Sequence, residues 1–530
     1  MAALPLILIV LIVATLLWAG RKLGRYKTYI VGLMLIHGAL VLPFRCSFYG
    51  MENEDAYVYG ASGRYYSLHG LSETTPSLTV APTVGSLKKP VIDQTYSGHL
   101  ITFPAFLGTI FQILGYSPTI VQLINALLST LAILPLSVVA HYCWGSRTTS
   151  LTAAAFFSLS PAINVMHGTT FSEPFSSFFV IASILMTIPV LRYRKTGQSF
   201  YPWKTIVFWG ILLCAVTLIK RDNLILLSIP AFLAVRKKSP TSIRIAAIVL
   251  GATIILIHWG LLATPGTISP ELEEAQGFPF SFNNFQRLLP TFLMGIFDWK
   301  WTALLPYAVF LALMIVVRKR RRFAAMLALL VTGFVLMYCC HYRSYWFSQG
   351  EDAHAAGMLR YLTNFFPLLA VLASGCICFL HYRFLHLRRS TLVFGGALTV
   401  MLVFTFWMTL RLRSEWAQLE ERFQTGGVKQ ILKHLPDNAI VFTDQGIIYQ
   451  FLGPADLFTV NLNSFSRDLV QKGYVPEKRP WFFHCQQEMH GALYAKRWPS
   501  AVALANQFSK NGLVVARGNN WILYRISPKK

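Results

Sequence analysis

The chain has 530 residues, of which 54% are hydrophobic and only 13% charged, and its mean hydropathy is +0.50. Soluble domains carry roughly 25% charged residues, so a water-soluble globular protein is excluded and an integral membrane protein is expected. The net charge of +25 does not call for a nucleic acid, because much of it lies in loops suited to anionic cytoplasmic lipid.

Apolar segments able to cross about 30 Å of hydrocarbon as helices run over 4–19, 28–44, 119–141, 149–165, 174–191, 205–219, 222–236, 243–262, 302–317, 323–340, 363–382 and 391–410. The predicted architecture is therefore an α-helical polytopic membrane protein of about twelve transmembrane helices. The opening MAALPLILIVLIVATLLWAG lacks a basic leader and a cleavage site, and reads as a retained helix. The run HLITFPAFLGTIFQILG (99–115) is short and interrupted by Pro104, which predicts an interfacial or re-entrant segment.

Charge orients the spans. The alternate loops 20–27, 142–148, 192–204, 236–244, 318–322 and 381–390 all contain Lys or Arg and no acidic residue. All 22 acidic residues lie in the other loops, at the span ends facing them, or beyond residue 410. The positive-inside rule places the basic loops in the cytoplasm and the acidic loops outside, with residues 411–530.

Two regions follow: a transmembrane domain over 1–410, with a long first external loop at 45–118, and an external α/β domain over 411–530. In the loop, TTPSLTVAPTVGSLKKP reads as irregular chain rich in Pro, Thr and Ser. Beyond residue 410, ILKHLPDNAIVFTD predicts a helix, a turn and a buried strand, and DLFTVNL a second strand. SAVALANQFSKNG predicts a helix, and LVVARGNNWILYRI a hairpin around Gly-Asn-Asn.

Four clusters of polar residues could carry chemistry. The first loop holds Glu52, Glu54 and Asp55, followed by Tyr57, Tyr59, Arg64, Tyr65 and Tyr66. If 54–68 is helical, Asp55, Tyr59 and Ser62 share a face, and one acid there could take a proton from an incoming hydroxyl. The same acids would also serve as a solvated cap favoured by the helix dipole. Glu173, in MHGTTFSEPF, sits beside Pro174 at the start of the fifth span, where an ionisable group is a functional candidate or a dipole partner.

Lys220, Arg221 and Asp222, in LIKRDNLIL, join two short spans. Two cations at that level suit a phosphate, although an Arg–Asp pair could also satisfy itself in the turn. Finally, HYRSYWFSQGEDAHAAGMLRYLTNFFPLL (341–369) carries Arg343, His354, Arg360 and Tyr361. Its Trp and Tyr suit interfacial anchors, but Arg360 departs from the positive-inside pattern and implies something anionic nearby. The eight cysteines lack metal-finger spacing, and Cys-Cys-His at 339–341 reads as small apolar residues ending a helix.

Taken together, these residues resemble the GT-C superfamily of polyprenyl-phosphate-sugar glycosyltransferases, and within it the protein O-mannosyltransferase and lipid A aminoarabinose transferase group. In EDAYVYGASGRYYSLHG, Asp55, Tyr59 and Arg64 keep the first-loop spacing of that group. Glu173 stands at its second acidic position, GILLCAVTLIKRDNLILL resembles its paired short spans, RYLTNFFPLL its Arg-Tyr-led span, and LPDNAIVFTD the start of its external domain. The group usually places the aligned acid first in its acid pair. Here Asp55 comes second, after Glu54, so either carboxylate could be the base.

The resemblance implies a GT-C fold and an inverting transfer of sugar from a polyprenyl-phosphate donor to a lipid, glycan or protein acceptor, outside a bacterial cytoplasmic membrane. It implies Asp55 or Glu54 as catalytic base, and Glu173, Tyr59, Arg64 and His99 toward acceptor or sugar. Lys220, Arg221, Arg343, Arg360 and Tyr361 would face the lipid phosphate. No cofactor or metal is implied, although some GT-C enzymes use a divalent cation. A transporter or flippase would place charges mid-span in repeated halves, and an O-antigen ligase or polymerase would gather Arg and His in one late loop. Here the charges sit at one interface and no repeat is apparent, so the transporter stands as an alternative reading beside the ligase or polymerase; no WWD-like motif of an oligosaccharyltransferase occurs in 411–530.

Overall fold

The computed structural model describes residues 3–41, 54–70, 78–167, 169–192, 202–236, 239–262, 282–298, 302, 305–319, 322–340, 351–384, 396, 399–400, 403–404, 406–411, 424–462, 479–486, 499–518 and 521–526. The chain forms two compact units. One takes residues 1–2, 47–121 and 415–530, and the other takes 3–46 and 122–414.

In chain order, α1 (Ala3–Leu23) and α2 (Lys27–Val41) precede α3 (Glu54–His69), strands β1 (Leu78–Gly85) and β2 (Pro90–Leu100), and α4 (Thr102–Leu114). Next come α5 (Pro118–Trp144), α6 (Arg147–Leu159), α7 (Pro161–Met166), α8 (Ser172–Arg192) and α9 (Pro202–Ile219). A 3-10 turn (Arg221–Leu227) leads to α10 (Ser228–Val235) and α11 (Thr241–Leu262). They are followed by α12 (Phe282–Phe297), α13 (Leu305–Lys319), α14 (Arg322–Cys340), α15 (Glu351–Ala373) and α16 (Cys376–Phe384). The C-terminal part holds α17 (Gln424–Leu432), β3 (Ile440–Thr443), α18 (Gly446–Leu452), β4 (Phe458–Asn461), β5 (Trp481–Gln486), α19 (Pro499–Asn511), β6 (Leu513–Arg517) and β7 (Trp521–Ile526).

Six described helices are long and apolar enough to cross a membrane: Leu4–Leu23, Pro118–Trp144, Ser172–Leu191, Thr241–Gly260, Arg322–Cys340 and Arg360–Leu380. Four shorter apolar helices accompany them at Lys27–Val41, Thr102–Leu114, Trp203–Ile219 and Leu305–Val316. The apolar window of α8 is 89% buried and that of α11 only 22%, so α8 is central to its unit and α11 peripheral.

Local chemistry sets the breaks. The expected span 149–165 divides into α6 and α7 because Pro161 disfavours a helical residue before it, and Ser160 is extended at φ −64°, ψ 127°. The expected span 222–236 is a 3-10 turn followed by a helix of only 8 residues, α10. α12 lies inside what was expected to be an external loop, 263–301, and α15 begins well before the expected 363. Half of the predicted span 391–410 falls outside the described residues.

The other unit is built on one seven-stranded sheet of order β2-β1-β4-β3-β5-β7-β6. The segment 74–90, expected to be irregular, instead contributes β1 and the start of β2, an antiparallel hairpin whose Val84 and Gly85 pair with β4. Pro82 hid this strand from sequence reading, and it is tolerated because β4 pairs with β1 only beyond it. β3, β4 and β5 are mutually parallel, whereas β5/β7 and β6/β7 are antiparallel. The expected strands, helix and hairpin beyond 430 all form.

The short helix α18, in GIIYQFL, was not anticipated. It covers one face of the parallel strands, with Gln450 bonded to Thr459 of β4, while α19 covers the other. There the Phe508 ring packs edge-on to Phe442 and tilted against Phe483 within an apolar core of Ile440, Phe458, Val460 and Trp481.

Candidate active site

The acidic and basic residues singled out in the helical unit come together. Glu173 stands in the first turn of α8 and is wholly buried. The segment leading to it is pinned by Asn125 of α5, whose amide donates to the Thr169 and Phe171 carbonyls at 2.8 Å each. Glu173 Oε1 accepts a hydrogen bond from Lys220 Nζ at 2.6 Å and another from Arg360 Nε. Lys220 is extended (φ −149°, ψ 129°) where α9 gives way to the 3-10 turn, and this bend aims its side chain back at α8. Arg360 enters from α15.

Aromatic faces complete the setting. Arg360 lies 4.7 Å from the Phe171 ring centroid, and Lys220 lies 4.9 Å from that of Tyr361. Lys220 Nζ also approaches Asp222 Oδ2 at 3.3 Å. The tight turn therefore does contain an internal ion pair, with Lys220 rather than Arg221 as the cation. Arg221 is partly buried at the next position.

A buried carboxylate is tolerated only when charge and hydrogen bonds compensate it, and here two cations converge on one oxygen. With Asp222 beside Lys220 and Arg221 next to it in the chain, the group Glu173, Asp222, Lys220, Arg221 and Arg360 carries one net positive charge. Such an arrangement can receive an anionic oxygen by charge-assisted hydrogen bonds.

A layer of amides locks this geometry. Asn223 donates to Ser176 Oγ at 2.7 Å and to the Val216 carbonyl at 2.8 Å. Asn364, one turn beyond Arg360, donates to Asn223 Oδ1 at 2.8 Å and to Tyr338 Oη at 3.3 Å. Sequence reading missed Asn223, Asn364 and Ser176. It also missed a buried chain in which His37 donates or accepts at Ser129 Oγ (2.5 Å) and His167 bonds the same hydroxyl. The available signal was the polar stripe Gln122, Asn125, Ser129 on α5, spaced as one helix face and fully buried.

The other candidates fall in the sheet-bearing unit or outside the described residues. Glu54 and Asp55 open α3, so Asp55, Tyr59 and Ser62 do share a helix face, while the two acid side chains lie outside the described residues. Tyr59 is buried against Phe103 at 5.6 Å. His99 lies in β2, with its side chain outside the described residues, and Arg343 is outside them entirely. Arg64 has structural partners. It donates to the Gln450 and Gly453 carbonyls at 2.8 and 2.6 Å and covers the Tyr116 ring at 4.0 Å, so it caps the C-terminus of α18. Among the described residues no group of three His, Cys, Asp or Glu side chains forms a metal-binding set.

No protein-family model and no curated protein matches the sequence. Solved structures do match. ArnT from Cupriavidus metallidurans bound to undecaprenyl phosphate superposes with a TM-score of 0.58 at 11% identity, over 96% of this chain and 100% of that one. The same protein in the apo state gives 0.56 at 13%, over 96% and 99%. Archaeal oligosaccharyltransferase AglB from Archaeoglobus fulgidus, in complex with an inhibitory peptide and a dolichol-phosphate, gives 0.53 at 12%, over 92% and 73%. The shared feature is the GT-C fold. At these identities the GT-C likeness concerns backbone arrangement, and side-chain roles must be argued from this chain's own residues.

Proposed function

We propose that the chain is an inverting glycosyltransferase that moves a hexosyl or pentosyl group from a polyprenyl-phosphate donor to an acceptor hydroxyl at the outer face of a bacterial cytoplasmic membrane. The observation that carries this reading is the convergence of Lys220 and Arg360 on buried Glu173, within a fold shared with proteins solved bound to undecaprenyl phosphate and dolichol-phosphate. The reading includes about twelve spans and an external C-terminal domain, supported by the one-sided distribution of acidic residues.

In the reaction, Asp55 or Glu54 takes the proton of the acceptor hydroxyl. The acceptor oxygen attacks the anomeric carbon as the bond to the lipid phosphate oxygen breaks, and the electron pair leaves with the phosphate. Lys220 or Arg221, with Arg343 or Arg360, stabilises the charge that develops there, an effect worth several kcal/mol in a preorganised site. Glu173 keeps the cations in place and can orient a sugar or acceptor hydroxyl. The displacement requires one base and no covalent intermediate. The acceptor is a lipid, a glycan or a protein.

The test is turnover of radiolabelled polyprenyl-phosphate sugars by the purified chain, comparing wild type with Asp55→Asn and Glu54→Gln, and binding of polyprenyl phosphate to Lys220→Ala and Arg360→Ala. One acid variant is expected to lose activity and both cation variants affinity. Full turnover in both acid variants sinks the assigned base, and unchanged affinity in both cation variants removes the phosphate site.

A further inference from the structure

The sheet carries a second constellation, unrelated to the charge cluster of the helical unit. β3 is followed by α18 and β4 on one side, and β5 lies on its other side, followed by α19. α18 and α19 cover opposite faces, so the carboxyl ends of β3 and β5 form a topological switch point. Open α/β sheets bind ligands in the crevice outside such strand ends.

The residues there are polar where a core would be apolar. Asn461 of β4 is in register with Thr443 of β3, and Thr443 Oγ1 lies 3.3 Å from His484 Nδ1 of β5. Three adjacent parallel strands thus place Asn461, Thr443 and His484 abreast on the face covered by α18. The turn into α18 adds Asp444 and Gln445, whose backbone N–H donates to Thr443 Oγ1 at 3.0 Å. α18 adds Tyr449, with its ring 5.8 Å from that of His484.

Much of this polarity has no partner. Both amide atoms of Gln445, the Tyr449 hydroxyl and His484 Nε2 are buried without a hydrogen bond, and either tautomer of His484 leaves Nε2 unmatched. Buried polar atoms are normally paired, and unpaired ones call for a physical explanation. Four such atoms on three side chains at this end of the sheet are a hydrogen-bonding surface awaiting a complement.

We propose that this row at the carboxyl ends of β3 and β5 is a binding site for an uncharged, hydroxyl-bearing ligand of the saccharide class. Its donors and acceptors are an amide from the turn, an imidazole from β5 and a phenol from α18. None of the six residues is cationic, and the Asp444 carboxylate disfavours phosphates and other anions. Burial, followed by the Asp444 charge, pushes the Tyr449 phenol well above its usual pKa, and burial pushes the His484 imidazole down to about 3. Both groups are therefore neutral hydrogen-bonding partners at physiological pH. Asp444 and Asn461 keep 8% and 7% exposure and mark the side from which a ligand arrives.

The inference is independent of sugar transfer, because it is read by binding alone. Methyl hexopyranosides are titrated into the full-length chain in nanodiscs and followed by calorimetry. A saturable heat is expected, weakened about tenfold or more in Gln445→Leu and Tyr449→Phe, since removing a buried polar partner sharply lowers affinity for a hydroxyl. Tyr449→Phe deletes only an unpaired hydroxyl, so its melting temperature should equal or exceed that of wild type and folding is not in question. The heat should persist in Glu173→Gln, which separates this site from the proposed transfer site. Absence of saturable heat with every glycoside overturns the proposal, as do equal heats in wild type, Gln445→Leu and Tyr449→Phe. Either result would mean that the row is occupied by water alone.

Discussion

Replacing Glu173 with Gln keeps the shape of the side chain and removes the charge that Lys220 and Arg360 share. Lys220 Nζ is 2.6 Å from Glu173 Oε1 and Arg360 Nε bonds the same atom. The two cations therefore lie no more than about 5 Å apart, and at an effective dielectric near 20 they repel by about 3 kcal/mol or more once the anion is gone. Breaking a buried ion pair by removing one partner typically costs about 3–5 kcal/mol, which agrees. At roughly 1 °C per kcal/mol for a chain of this size, the melting midpoint should fall by about 3 °C. The assay is thermal unfolding in detergent at a fixed scan rate, because irreversible unfolding makes the midpoint scan-dependent.

The same substitution carries a second, opposite expectation. Freed of Glu173, the cations should hold an added lipid phosphate more tightly, and undecaprenyl phosphate should raise the midpoint of Glu173→Gln more than that of wild type. Ligand at a hundredfold its Kd contributes about 2.7 kcal/mol, enough to recover most of the loss. Introducing Lys220→Met into the Glu173→Gln background should also recover stability, by removing one of the repelling charges. A Glu173→Gln midpoint within about 1 °C of wild type, or rescue by the lipid phosphate no greater than in wild type, would refute the electrostatic account.

Arg64→Met removes two charged hydrogen bonds from the end of α18 and should destabilise the sheet-bearing unit by about 2–3 kcal/mol, seen as faster proteolysis within 424–462. Gly60→Ala would place a methyl carbon 2.2 Å from the Phe451 ring, and overpacking of this kind costs about 1–3 kcal/mol. Phe451→Leu in the same chain should restore part of that loss. His484 is held neutral by burial, with a pKa of about 3, below the ordinary value near 6.5 of an unfolded chain. The unfolded state therefore binds more protons between those pH values, and stability should fall as pH drops from 6.5 toward 3 and be insensitive to His484 above 6.5. Melting of His484→Gln across pH 4–7 should show a shallower slope than wild type, and an equal slope would remove His484 as the cause.

Much was legible in the sequence because it depends on local pattern. Apolar length predicted α5, α8, α11 and α14 within a few residues, since a membrane-length run leaves a helix little alternative. Alternating β-branched and aromatic residues flanked by turn signals predicted β3, β4, β6 and β7. Where reading failed, the competing effect can be named. Pro161 broke a span that hydropathy alone made continuous, and Pro82 disguised β1, whose partner β4 lies some 370 positions away in sequence. α12 and α18 were missed as short helices lying in stretches taken for loops.

The candidate site divides the same way. Composition and charge asymmetry determined that the chain belongs in a membrane, and they singled out Glu173, Lys220 and Arg360 one at a time, because a charged residue at the edge of an apolar run is visible without any structure. That the two cations share one oxygen of Glu173, that Arg64 caps a helix, and that Asn461, Thr443 and His484 stand abreast were decided only by the tertiary structure. Each is a contact between residues far apart in the chain, and the energy of a buried charge or an unpaired hydrogen-bonding atom is set by which groups packing brings within about 3 Å of it.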